Sequence, residues 1–173
     1  DKKENIVFLS RDRAGEKPLF YHHKNGVLSF ASELKSLLTN TNIEKKIDLN
    51  SLDYYLSTGM VTGDMCLVKD CKKLKPGHAL IFNIESDKVK IVKYWEIPNF
   101  EKNDSYNEKD LIYDFNVLLQ KSVDLQLVAD VDVGILLSGG VDSSIITALA
   151  ANNKSKIKTF NIGFPQYKNY DET

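Results

Sequence analysis

The chain has 173 residues, 42% hydrophobic and 27% charged, the composition of an ordinary globular protein rather than a disordered or fibrous one. Its 23 basic and 24 acidic side chains nearly balance. No basic stripe, charged tail or apolar run of membrane-spanning length appears, which argues against nucleic-acid and membrane partners. Two cysteines, Cys66 and Cys71, are too few for a disulfide framework, and the absence of a secretory leader makes a cytoplasmic protein the expectation.

Residues 5–10 form a short apolar run suited to a buried strand. A polar turn over residues 11–18 follows, and its Arg11, Asp12 and Arg13 suit an ion-pair network that packs one half of the chain on the other. Residues 19–22 and 27–31 predict a hairpin closed through Lys24-Asn25-Gly26, because Asn-Gly favours a tight turn. Ser32 is placed to cap a short helix over residues 33–38, with Leu34, Leu37 and Leu38 on one face.

Asp48 opens a second helix through residue 57, where Leu49, Leu52, Tyr55 and Leu56 recur near helical spacing. After a glycine-containing loop and residues 66–70, a turn is expected at Lys75-Pro76-Gly77. Strands over residues 79–84 and 89–95 follow, separated by Glu85-Ser86-Asp87. The first half therefore reads as antiparallel β with small helices. His22, His23 and His78 have no acid-base partner in the pattern and are expected to be structural or surface residues.

The character changes after Trp95. Residues 98–107 are polar and turn-rich, which places a linker there. A long amphipathic helix is predicted over residues 108–128, with Leu111, Phe115, Leu118, Leu119 and Val123 at steps of three and four. A dense apolar strand over 133–137, a small-residue helix over 143–151 and another apolar strand over 157–162 complete the chain. Strand, helix, strand with both strands apolar throughout argues for a parallel βαβ unit. The ends, Asp1-Lys2-Lys3 without methionine and Asp171-Glu172-Thr173 where a helix starts, suit a piece of a longer protein.

The string Ser138-Gly139-Gly140-Val141-Asp142-Ser143-Ser144 lies between that strand and that helix. Two glycines let the backbone turn sharply and bring its N–H groups close to an anion. The helix N-terminus adds orphan donors and a partial positive charge. Ser138, Ser143 and Ser144 offer hydroxyl donors to phosphate oxygens. No Lys-Ser or Lys-Thr closes the loop, so it is not the commoner ATPase loop. Asp142 beside a phosphate cradle makes chemical sense if a magnesium ion lies between the two negative groups.

Residues 138–144 resemble the SGGxDSS pyrophosphate loop of the ATP pyrophosphatases, which cleave ATP to AMP and pyrophosphate. The flanks are similar to glutamine-hydrolysing asparagine synthetases in particular. Residues 129–137 resemble the stretch before that family's loop. Thr159-Phe160-Asn161-Ile162-Gly163-Phe164 with Tyr170-Asp171-Glu172 resembles the stretch after it. Residues 11–21 look like the family's RDRxGxKPLYY segment. Residues 30–38, 74–78 and Tyr94-Trp95 match further on, in the family's order.

The resemblance implies an α+β then α/β chain in two parts. Residues 1–98 would be the tail of an antiparallel, β-rich, Ntn-type glutaminase domain. Residues 107–173 would be the start of a parallel-sheet ATP-pyrophosphatase domain of the adenine nucleotide α hydrolase type. The implied reaction is ATP-dependent amidation of aspartate to asparagine with glutamine-derived ammonia, through β-aspartyl-AMP. Its small molecules are ATP, magnesium, aspartate and glutamine, and a homodimer is compatible with it.

By the same resemblance, Ser138, Gly139, Gly140, Asp142, Ser143 and Ser144 hold the pyrophosphate, with Asp142 on its magnesium. Leu136 and Ile162 contact the adenosine, and Asp171 and Glu172 form an acidic pair opening the next helix. No residue present matches the family's amino-terminal nucleophilic cysteine, and Cys66 and Cys71 are expected to be buried, inert thiols. Asp132 departs from the family, which usually has proline there. A sister amidotransferase acting on a sugar acid, a peptide or a β-lactam precursor shares these features, as does a non-catalytic ATP-binding relative.

Overall fold

A computed structural model of the protein describes residues 1–99, 107–153, 157–163 and 166. The chain divides into two compact units, Asp1–Phe100 and Glu101–Thr173. Each is described by itself.

The first unit holds two three-stranded antiparallel sheets. One consists of β1 (Ile6–Ser10), β5 (His78–Asn83) and β6 (Lys88–Lys93), with β5 in the middle. The other sets β2 (Phe20–Lys24) between β3 (Val27–Ala31) and β4 (Cys71–Lys73). The β2–β3 hairpin closes on the two residues Asn25 and Gly26, with φ of 51° and 75°. Positive φ at both positions is the primed turn that matches strand twist.

Alternation along these strands builds a shared core. Leu9, Tyr21, Leu74, Leu80 and Phe82 come together from both sheets, and Leu74 and Leu80 are fully enclosed. A second cluster, Leu37, Ile43, Cys66 and Cys71, lies under α1 (Leu34–Leu37). Burial pushes both thiols up, that of Cys71 to about 11, so both are protonated at neutral pH and chemically quiet. His22 is buried as well, and desolvation lowers its pKa, which keeps it neutral.

Two local expectations change. Ser32 does not cap α1: the helix is a single turn, and Glu33 occupies the cap position without a side-chain bond. Within residues 66–70, Val68 makes an isolated bridge to Ile47, and pairing with β2 starts at Cys71. The α2 helix (Leu49–Thr58) starts at Asp48 as expected, its carboxylate accepting from Ser51 N at 2.8 Å. Its inward residue is Ser51, however, whereas Leu49 and Leu56 stay exposed.

The charged turn is also used differently from the ion-pair network expected of it. Arg11 is buried, and its guanidinium donates to three carbonyl oxygens: Leu74 at 2.7 Å, Gly15 at 2.8 Å and Lys17 at 3.0 Å. Asp12 accepts from the backbone N–H groups of Gly15, Glu16 and Lys17 at 2.6–3.1 Å. Arg13 makes no ion pair with a described residue. The side chains of Arg11 and Asp12 thus satisfy backbone groups of their own unit, because a loop this tight leaves those groups without ladder partners.

The second unit pairs β7 (Gly134–Leu136) with β8 (Lys158–Phe160) in parallel, with α4 (Val141–Asn153) between them in sequence. The α3 helix (Glu108–Gln126), capped by Asn107, packs on α4. Val123, Leu127 and Ala150 form the centre of that contact, with Val133, Ile135, Leu149 and Ile157 around it. Of the predicted apolar stripe on α3, Val123 is buried, while Leu111, Phe115 and Leu118 remain exposed. No helix among the described residues is long and apolar enough to cross a membrane.

Candidate functional site

Parallel strands bring their carboxyl ends to one edge, and the loop that leaves such a strand for a helix is where open α/β sheets receive ligands. The β7 ladder continues one residue past the strand, with Leu137 N donating to Phe160 O at 2.8 Å. The chain then turns through Ser138, Gly139 and Gly140 into α4. Gly139 has φ of +82°, the left-handed region in which a β-carbon crowds the following carbonyl. A residue with a side chain would strain the turn and also narrow the approach to its N–H groups.

The hydroxyls converge on this turn. Ser138 Oγ and Ser143 Oγ lie 3.2 Å apart, and Ser143 Oγ donates to the Gly140 carbonyl at 3.1 Å. Ser144 Oγ donates to the same carbonyl at 2.8 Å, and Thr147 Oγ1 donates to Ser143 O at 2.7 Å. Asp142 sits in the first turn of α4, exposed, and its carboxylate makes no ion pair or hydrogen bond with a described residue. Structure therefore gathers Ser138, Gly139, Gly140, Asp142, Ser143 and Ser144 in one strand–turn–helix corner.

Leu136 and Ile162 stand beside that corner. Leu136 ends β7 with 75% of its surface exposed, and its register partner across the pair is Phe160. Ile162 follows β8 by two residues and is 68% exposed. Phe160 and Gly134 are not among the residues that the sequence singles out, yet they shape this face. A β-carbon on Gly134 would fall 2.4 Å from Phe160 Cε2, so the ring lies against the glycine. Alternation by two from Ile162 is the sequence signal that would have found Phe160. Asp171 and Glu172 lie outside the described residues, and Asp132 forms an exposed ion pair with Lys158 at 2.9 Å.

The corner can do specific chemistry. Helix-start N–H groups and two or three hydroxyls suit a polyanion. The exposed carboxylate of Asp142 adds an oxygen ligand of the kind a hard divalent cation prefers. No group of three or more His, Cys, Asp or Glu side chains among the described residues is placed to hold a metal by itself. A cation here would share its coordination with phosphate oxygens, as magnesium commonly does. A surface cavity of about 450 Å³ between α3 and α4, lined by Tyr113, Gln120 and Leu149 among others, does not include the loop.

Comparison with known proteins agrees with the two-part reading. Residues 1–95 match the model of the glutamine amidotransferase domain, and residues 114–173 match that of asparagine synthase. A Methanocaldococcus jannaschii protein named for glutamine-hydrolyzing asparagine synthetase is 36% identical over 177 residues, covering 100% of this chain and 34% of the relative. Glutamine-hydrolyzing asparagine synthetase 3 of Bacillus subtilis is 35% identical over 176 residues, covering 98% of this chain and 28% of the relative. Its paralogue numbered 2 is 34% identical, covering 94% and 23%. The chain spans about a third or less of the length of these curated relatives. It belongs to the glutamine amidotransferase domain family, and its residues 114–173 are similar to the asparagine synthase model.

Proposed function

We propose that the 138–144 corner binds the pyrophosphate of ATP, and that this chain is part of a cytoplasmic asparagine synthetase that uses glutamine as its nitrogen source. In this reading the glutaminase portion occupies residues 1–98 and has an Ntn-type framework. The synthetase portion occupies 107–173 and opens an ATP-pyrophosphatase sheet. The observation that carries the reading is the full Ser-Gly-Gly-Val-Asp-Ser-Ser string standing at the carboxyl end of a parallel strand and at the head of a thirteen-residue helix.

The chain's residues would act as follows. Backbone N–H groups of the turn and the first turn of α4 donate to phosphate oxygens, joined by the Ser138 and Ser143 hydroxyls. Leu136 and Ile162 flank the adenosine. Asp142 would hold magnesium, which when bound would supply positive charge beside the leaving pyrophosphate. The side-chain carboxylate of aspartate then attacks the α-phosphorus, and pyrophosphate leaves. Ammonia from glutamine attacks the acyl carbon of β-aspartyl-AMP, asparagine forms and AMP leaves.

Asp142→Ala tests the assignment. The exposed carboxylate supports no fold contact among the described residues, so thermal stability should stay within about 2 °C of wild type. AMP formation by the complete reading frame should fall below a tenth. Activity above a tenth with a folded variant would overturn the role of Asp142.

A further inference from the structure

The loop hydroxyls are not equivalent. The Gly140 carbonyl oxygen receives three donors: Ser144 N at 3.1 Å, Ser144 Oγ at 2.8 Å and Ser143 Oγ at 3.1 Å. A carbonyl oxygen offers two lone pairs, so one of the three is surplus. The Ser144 pair belongs to the helix, a backbone bond to the residue four back reinforced by its own side chain. The surplus donor is Ser143.

A hydroxyl has one proton to give. While Ser143 donates to Gly140, the 3.2 Å contact with Ser138 Oγ uses the Ser138 proton. The protons therefore run in a short relay, Ser138 to Ser143 to Gly140. If Ser143 turns toward a phosphate oxygen, the Ser138 proton is released with it. Gly140 is not orphaned, because Ser144 still holds it with two bonds.

We infer that Ser144 is a positioning residue for the nucleotide: it holds the Gly140 carbonyl so that Ser143 and Ser138 are free to serve phosphate. The inference rests on the phosphate-binding reading of the loop, and it gives Ser144 itself no contact with the nucleotide. Without the Ser144 hydroxyl, Gly140 keeps the Ser144 N–H, and Ser143 is the donor left for its second lone pair, so each Ser143–phosphate bond is made at the expense of that one.

The test is KM for magnesium-ATP and kcat for AMP release, measured on the complete reading frame. Ser144→Ala should raise KM about tenfold with kcat within about twofold, the pattern of lost uniform binding. Ser144→Thr, which keeps the hydroxyl, should stay within about twofold of wild type. If Ser144→Ala does not fold, Ser144→Cys, similar in shape with a weaker donor, replaces it with the same expected direction.

The double variant decides the matter. Because Ser144 acts through Ser143, Ser143→Ala with Ser144→Ala should bind ATP no more weakly than Ser143→Ala alone. Independent effects that multiply, or a wild-type KM in Ser144→Ala, would overturn the inference while leaving the ATP reading intact. A wild-type protein that releases no AMP would defeat the ATP reading, and the inference with it.

Discussion

Arg11 shows how a single side chain can stand in for secondary structure. Its guanidinium closes three carbonyls that no strand reaches, those of Gly15, Lys17 and Leu74. Arg11→Ala would leave them partly buried and unpaired, at about 1–3 kcal/mol for the worst placed of them. We expect a total loss of about 3 kcal/mol by denaturant unfolding. Arg11→Lys should recover less than half, since an ammonium cannot reproduce the planar fork. Equal stability of wild type and Arg11→Lys would refute the role.

The neighbouring carboxylate predicts a pH dependence. Backbone N–H groups, that of Lys17 foremost, hold the Asp12 pKa below its ordinary value. A lowered folded-state pKa means that the stabilisation is complete above the unfolded value of about 3.9 and is lost as pH falls through the folded one. Asp12→Asn should therefore flatten the acid limb of stability against pH below about pH 4. An unchanged acid limb would show that the turn does not depend on the charge. At Gly139, φ of +82° puts valine under backbone strain of about 1–2 kcal/mol and places a branched side chain in the cradle. Gly139→Val should lose ATP binding more than it loses stability.

At the scale of elements, the contacts inside each unit set the expectations. Leu80 is wholly enclosed between the sheets, so Leu80→Ala should cost about 2–5 kcal/mol. Ala150, also wholly buried, lets α4 close on α3, and Ala150→Leu should cost about 1–3 kcal/mol through overpacking. Denaturant midpoints at a constant slope would check both.

Most elements were legible because their signals are local. Asn25-Gly26 announces the hairpin, Asp48 announces α2, and two apolar runs around a small-residue helix announce the parallel pair. The failures had long-range causes. Periodicity marked Leu49 and Leu56 as inward, yet the structure turns Ser51 inward instead. Arg11 and Asp12 read as ion-pairing residues because spacing cannot show that nearby carbonyls and amides lack partners. At the site, the serine and glycine string was legible as a cradle. The sharing of one carbonyl by Ser143 and Ser144 was not, since it depends on where helix α4 begins.

For the whole molecule, the two units carry different architectures in one chain, antiparallel sheets first and a parallel pair with two helices second. The family matches keep the same order, 1–95 and then 114–173. Everything proposed for the second unit depends on the 138–144 corner serving ATP cleavage to AMP for aspartate amidation. Product analysis of the complete reading frame, supplied with ATP, magnesium, aspartate and either glutamine or ammonium, tests this without intermediate assumptions. AMP, pyrophosphate and asparagine should appear together, with AMP release dependent on aspartate. AMP release indifferent to aspartate, ADP in place of AMP, or no turnover would contradict it.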